Sequence, residues 1–82
     1  MVFSITQADY ITEYKIHFLF SDGVDRIIDF REFLSNAKNP MTKKYLNKQL
    51  FISFTIEFGD IQWNDYEMCF PIWNLYQGKL EN

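Results

Sequence analysis

The first half of the chain contains two runs in which apolar and polar residues alternate with a period of two, a pattern typical of half-buried strands. Residues 10–20 form the first run and residues 24–30 the second. The turn between them, residues 21–23, ends in a glycine, which adopts the left-handed conformation that a three-residue hairpin loop needs at its last position. The resulting register places Lys15 opposite Asp29, an opposite-charge pair.

The second half contains the longest alternating run, residues 50–58, with the sequence LFISFTIEF. Its even-numbered residues are all apolar and would line one face of a strand. A two-residue turn at 59–60 would return the chain through residues 61–64. This arrangement places Ile56 opposite Trp63, an apolar pair, and so predicts a second hairpin.

Three short helices are predicted around these hairpins, at residues 30–36, 41–48 and 71–77. Pro40 disfavours helix at the residue before it and separates the first helix from the second. Pro71 suits the start of the third helix, which is expected to end at a glycine.

These elements predict a single α+β domain that spans residues 1–82, with a core of about residues 10–77 and frayed ends. Its antiparallel sheet is built from the two hairpins, at about residues 10–30 and 50–64. Hydrophobic residues make up 48% of the chain, so enough apolar surface is present to fold it without disulfides or metals.

Aromatic residues make up 20% of the chain, more than so small a domain is expected to bury. One interpretation is a phenylalanine-rich core with half-exposed tyrosines and tryptophans, and the other is a surface for self-association or for a partner. The candidate interface residues are Trp63, Tyr66, Trp73 and Tyr76. For both tryptophans the alternative is that they anchor the C-terminal segment onto the sheet.

The net charge of −3 argues against nucleic-acid binding, which usually requires a basic domain. One local group of lysines departs from this balance: Lys38, Lys43, Lys44 and Lys48. This lysine cluster is either a solvated helix face or a contact surface for phosphate, nucleic acid or an acidic partner.

Candidate catalytic groups are few. The only histidine, His17, would need a nucleophile such as Ser53 and an acid brought to it by folding. The aspartates near the turns are explained by turn and capping chemistry, and the single cysteine, Cys69, cannot form an internal disulfide. No glycine-rich phosphate loop, HExxH or CxxC motif is present. We therefore expect no enzyme, no metal site and no cofactor.

The sequence contains no apolar run long enough for a membrane span, and its first residues do not resemble a signal peptide. Together with the lone cysteine, these features lead us to expect a cytoplasmic protein with no membrane partner.

An ordered set of short motifs extends over residues 10–77. The motifs are Phe18-x-Phe20-Ser21-Asp22-Gly23, Ile28-Asp29-Phe30 with Phe33-Leu34, Leu50-Phe51, Gly59-Asp60-Ile61-Gln62-Trp63 and Leu75-Tyr76. The set resembles a widespread family of small bacterial proteins known as a domain of unknown function. One departure is that the family often has a glycine in the turn after the tryptophan, where this chain has Tyr66.

The resemblance implies a compact α+β domain, often encoded beside another small uncharacterised protein, as in a paired system of the toxin–antitoxin kind. It implies no catalytic or binding residues. The leading hypothesis is a small protein-interaction or regulatory module, either a homodimer or half of a hetero-pair. The alternatives are a nucleic-acid-binding regulator that uses the lysine cluster and an enzyme that uses His17.

Overall fold

A computed structural model describes residues 4–80 of the chain. The strands are β1 (Ile5–Tyr10), β2 (Lys15–Phe20), β3 (Asp25–Asp29), β4 (Thr55–Glu57), β5 (Asp60–Trp63) and β6 (Met68–Cys69). The helices are α1 (Arg31–Ser35), α2 (Pro40–Lys43), which continues into a 3₁₀ turn (Lys44–Leu46), α3 (Lys48–Phe51) and α4 (Ile72–Tyr76). The predicted α+β class is confirmed. The strands form two antiparallel sheets of three, β1-β2-β3 and β4-β5-β6, rather than one sheet.

The predicted first hairpin is confirmed in its turn and in the pairing of β2 with β3, but the predicted strand over residues 10–20 is wrong in its first part. Tyr10 ends β1, and residues 11–14 form the turn into β2, with positive φ at Glu13 and Tyr14. Lys15 pairs with Asp29 and Ile16 with Ile28 across β2 and β3. Gly23 has φ +89°, and the Phe20 amide donates to the Val24 carbonyl at 2.9 Å to close the loop. The left-handed glycine therefore sets the register of the whole hairpin.

Strand β1 was not predicted, because its sequence does not alternate regularly. It pairs with β2 along the edge of the first sheet, and the register shifts between Ile5 and Gln7. Because of this bulge, Ile5 and Ala8 both face the core although they are three residues apart. The sequence of β1 therefore lacks the apolar period of two that marks a regular strand. Ile5 is 3% exposed and belongs to the core, which therefore begins before residue 10. The predicted fraying of the ends concerns in part residues 1–3 and 81–82, which lie outside the described residues.

The predicted strand over residues 50–58 is wrong in its first half, which forms α3 and a turn. The side chain of Asn47 accepts a hydrogen bond from the Gln49 amide at 2.9 Å and so caps a helix at this point. Helical geometry then turns Phe51 into the core and leaves Leu50 and Ile52 about 40% exposed. Only β4 remains as a strand.

The register of the second hairpin also differs from the prediction. The turn is Phe58-Gly59 rather than 59–60, so Ile56 lies opposite Ile61 and not Trp63. Phe58 has φ +53° and Gly59 has φ +83°, the signature of a type I′ turn. A Cβ atom on Gly59 would lie 2.5 Å from the Ser4 Cβ, so close packing against the chain before β1 also requires glycine here.

The three predicted helices are confirmed with small shifts of their ends. Helix α1 lies within residues 30–36, and α2 with its 3₁₀ turn covers most of residues 41–48. Helix α4 follows Pro71 and ends before Gly78, which has φ +78°. None of the helices within residues 4–80 is long and apolar enough to cross a membrane.

Half of the buried core residues within residues 4–80 are aromatic, and the core is organised around the indole of Trp63, which has no solvent exposure. Its Nε1–H group donates to the Phe51 carbonyl at 2.7 Å. Five rings lie with their centroids within about 6 Å of the indole, and they belong to Phe30, Tyr45, Phe51, Phe54 and Phe70. The aromatic excess is therefore largely internal.

The β4–β5 turn generates a prediction about stability. Phe58 occupies a left-handed position that disfavours a phenylalanine by about 1–2 kcal/mol, and its ring is 98% exposed. Phe58→Asn should raise the free energy of unfolding by about 1 kcal/mol, because asparagine tolerates this conformation and no packing is lost. Urea unfolding at low protein concentration measures the effect.

Phe58→Ala is the matched control for this change, because it removes the ring but keeps a residue that dislikes positive φ. It should unfold within about 0.5 kcal/mol of the original chain. A clear loss of stability in both variants would mean that the ring packs onto the domain.

Candidate functional site

The lysine cluster is only partly available to a ligand. Lys44 Nζ lies 2.6 Å from a carboxylate oxygen of Glu67, which also accepts a hydrogen bond from the Tyr45 hydroxyl at 2.6 Å. Lys48 Nζ lies 5.8 Å from the centre of the Tyr10 ring. Lys43 is exposed at the end of α2. The pairing of Lys44 with Glu67 neutralises one charge of the cluster.

Lys38 lies exposed in the loop between α1 and α2, so the cluster runs from that loop to the start of α3.

The carboxylate of Glu67 is held in its ionised form. Hydrogen bonds from Lys44, Tyr45 and Asn64, in that order of importance, lower its pKa from 4.5 to about 2. Burial and the neighbouring Glu67 carboxylate raise the pKa of Tyr45, whose ring lies in the core. The contacts of Glu67 with Lys44 and Tyr45 therefore link the helical segment to the β5–β6 turn.

The structure pairs His17 with a carboxylate but brings no serine to it. His17 Nε2 lies 2.9 Å from Asp25 Oδ2 on the outer face of the first sheet, and this hydrogen bond lowers the pKa of Asp25. Ser53 donates its hydroxyl to the Leu50 carbonyl at 2.6 Å. Within residues 4–80 no group of three His, Cys, Asp or Glu side chains is placed to hold a metal ion.

Of the candidate interface residues, Trp63 is not available to a partner, because its indole is fully buried in the core. The alternative is that Trp63 anchors the C-terminal segment onto the sheet, and its ring does lie 5.9 Å from that of Phe70, just before α4. Its face of β5 also carries Ile61, which is buried as well.

Trp73 and Tyr76 form a partly exposed stack on α4. Their rings are 5.8 Å apart and inclined by 8°, and Trp73 is 51% exposed. The Tyr76 hydroxyl donates to Asp22 at 2.6 Å, which lowers the pKa of that carboxyl. The Arg26 guanidinium lies over the Tyr76 ring, and its Nε–H group donates to the Tyr76 carbonyl at 3.0 Å. These contacts fasten α4 to the first sheet.

An apolar groove of about 350 Å³ lies at the second sheet, where Tyr66 forms part of its lining. Its residues are Asp60, Tyr66, Cys69, Phe70 and Pro71. Cys69 pairs with Gln62 and the neighbouring pair, Trp63 and Met68, is buried in the core. Because successive residues of a strand face opposite sides, the groove lies on the outer face of the sheet.

Two exposed aromatic residues with unfavourable backbone conformations lie in the turns that flank β5, and one of them, Tyr66, lines the groove. Phe58, two residues before Asp60, is 98% exposed at φ +53°, and Tyr66 is 49% exposed at φ +65°. The Tyr66 amide donates to the Gln62 side chain at 2.7 Å, and this hydrogen bond holds the turn although no glycine is present in it. Sequence reasoning missed Phe58 because it assigned that residue to a strand. The signal available was the glycine that follows it, which suits the second position of a type I′ turn.

The comparison with protein families covers nearly all of the chain. A family model with the description Protein of unknown function (DUF2442) matches residues 5–81. The chain belongs to this family. Comparison of the DUF2442 chain with curated proteins gave no match, and comparison with solved structures gave none either. The predicted resemblance to a domain of unknown function is confirmed.

Another depression in this DUF2442 chain has a volume of about 490 Å³, larger than that of the groove, and lies between α1 and the segment after α4. It is lined by Asp29, Glu32, Phe33, Asn36, Ala37, Gly78 and Leu80. The Asp29 carboxylate there accepts the Arg31 amide at 2.9 Å, so this acid serves the start of α1.

The Glu67 pKa predicts a loss of stability in acid. A carboxyl whose folded pKa is depressed stabilises the fold fully above pH 4.5, and this contribution disappears as the pH falls towards 2. The urea midpoint of the DUF2442 chain should therefore fall over this range, and Glu67→Gln should lower the midpoint at pH 7 and flatten its decline. Glu32→Gln, an exposed acid without such bonds, is the control. An equal decline in Glu67→Gln would contradict the assignment.

Proposed function

We propose that this chain is a cytoplasmic protein-binding module, and not an enzyme, that contacts its partner with the β4–β5 turn and the neighbouring groove. The observation that carries the proposal is Phe58, a large apolar ring that is 98% exposed. Its position at φ +53° is one that asparagine or glycine would occupy at lower cost. A large apolar residue in a strained and exposed position is best explained by a role outside the fold.

Burial of the Phe58 ring by a partner would contribute substantially to the affinity of the complex. Full burial of a phenylalanine side chain contributes about 1.5–3 kcal/mol, which corresponds to roughly tenfold to hundredfold in affinity. The groove adds an apolar surface formed by Cys69, Phe70 and Pro71, and Tyr66 adds a residue type enriched at binding hot spots.

The family resemblance supports a partner of a particular origin. The resemblance implies that members are often encoded beside another small protein, as in a paired system of the toxin–antitoxin kind, and a hetero-pair of this kind would cover an exposed aromatic surface. The Trp73–Tyr76 stack with Arg26 combines the three residue types most common at hot spots and is a second contact region for the same partner.

Nucleic-acid binding through the lysine cluster is the less favoured alternative. The net charge is −3, and the pairing of Lys44 with Glu67 removes one of the cluster's free charges. This alternative makes a distinct prediction, because affinity for DNA or RNA would fall steeply with salt and would be lost on removal of Lys43, Lys44 and Lys48.

Co-purification tests the proposal. The tagged chain is expressed together with the product of the adjacent gene, the partner that the resemblance implies, and the affinity of the purified pair is measured by titration. Phe58→Asn should weaken the complex about tenfold to hundredfold, since the ring no longer becomes buried. Ile27→Thr, which changes a 63% exposed apolar residue on β3, is the matched control and should leave affinity unchanged.

Light scattering over a concentration series completes this test. A monomer that binds neither itself nor the neighbouring protein would overturn the proposal, as would a complex that Phe58→Asn leaves intact.

A further inference from the structure

We propose that the groove on the second sheet takes a partner segment in which a lysine or arginine lies next to a bulky apolar residue. This inference rests on the proposed function and names the chemistry of the partner that the same site recognises. It depends on two features of the groove, an apolar lining and a pair of carboxylates at one end.

The lining accounts for the apolar half of the recognised segment. Phe70 is buried and forms part of the groove wall, together with Cys69, Pro71 and the half-exposed ring of Tyr66. A volume of about 350 Å³ lies at the small end of the range for ligand pockets and suits a single large side chain. The Phe58 ring, two residues from Asp60 in the chain, would pack against the same segment.

The carboxylates account for the basic half. Glu57 and Asp60 lie directly opposite each other on β4 and β5, and Asp60 also lines the groove. Like charges in this arrangement destabilise a hairpin. In the part of the chain that the structure describes, neither carboxylate has a lysine, arginine or histidine nitrogen within 4.0 Å. A cation from a partner would relieve the repulsion, whereas an acidic segment would increase it.

The same charges argue against a second copy of this chain as the occupant. A two-fold dimer in which each copy inserts Phe58 into the groove of the other brings both copies of this turn close to the symmetry axis. The Glu57 and Asp60 carboxylates of the two copies would then approach one another. Charge complementarity therefore favours a basic and apolar segment of a different protein.

Three unfavourable features coincide at this turn: the positive φ of Phe58, the exposure of its ring, and the opposed carboxylates. The positive φ and the opposed carboxylates lower the stability of the free domain, and the exposed ring leaves apolar surface in water. A segment of the proposed chemistry would bury the ring and pair with the carboxylates. Because these three features lie at one turn, we assign them to the binding of a single partner segment.

Selection from a random peptide library displayed on phage, with the full chain as bait, tests the inference. The enriched peptides should place a lysine or arginine within about two residues of an aromatic or large aliphatic residue. A synthetic peptide of the most enriched sequence is then titrated against the chain and its variants by fluorescence anisotropy.

Binding of that peptide should weaken about tenfold or more in Phe58→Asn, and about fivefold or more in the double variant Glu57→Gln/Asp60→Asn. The control Asp9→Asn/Glu32→Gln removes the same amount of charge elsewhere and should bind normally. Each variant's unfolding midpoint is measured first, so that loss of binding is not confused with loss of the fold.

Several results would overturn the inference. Enriched peptides without a basic residue, or equal binding by the two double variants, would remove the charge requirement and leave the proposed function standing. A library that yields no Phe58-dependent peptide would also overturn it, and the co-purification test then judges the proposed function separately. A dimer that depends on Phe58 would identify a second copy as the occupant.

Discussion

The burial of one indole, that of Trp63, is the constraint on which the arrangement of both sheets depends. The ring has no solvent exposure, and its N–H group is satisfied by the Phe51 carbonyl at 2.7 Å. Because a buried polar group without a partner is costly, this hydrogen bond requires α3 to bring that carbonyl to β5. Phe30, which follows the first sheet, lies 6.0 Å from the same indole. A single side chain thus joins the first sheet, α3 and the second sheet.

This core explains which aromatic residues remain for binding. Rings that reach the indole are used for stability, whereas Phe58 and Tyr66 lie in the turns at the two ends of β5 and are exposed. The turns hold both residues at positive φ, so they lower stability locally while the core supplies it elsewhere. A division of this kind is typical of a small domain in which binding residues are placed on loops of a rigid scaffold.

The sequence predicted the elements whose local signals agree with the tertiary structure. The turn and register of the first hairpin were predicted correctly, because Gly23 fixes which residues face each other. The start of its first strand was not, because residues 11–14 form a second turn that the apolar alternation of residues 10–20 conceals. The run from Leu50 has the periodicity of a strand, but Asn47 caps a helix at this point. The strand propensity of these residues is overridden because the helix buries Phe51 in the core. The bulge in β1 removed its alternation. The exposure of Phe58 was missed because the turn was placed one residue too late, which left Phe58 in the apolar alternation of the strand.

The central claim, that Trp63 is internal and organises the fold, is tested most directly by its fluorescence. Trp73→Phe leaves Trp63 as the sole tryptophan, since the chain contains two. The account predicts blue-shifted emission that acrylamide barely quenches until urea unfolds the chain, with the spectrum and quenching changing together in one transition. Red-shifted emission that acrylamide quenches readily in the folded protein would contradict it, and would return Trp63 to the surface as an interface residue.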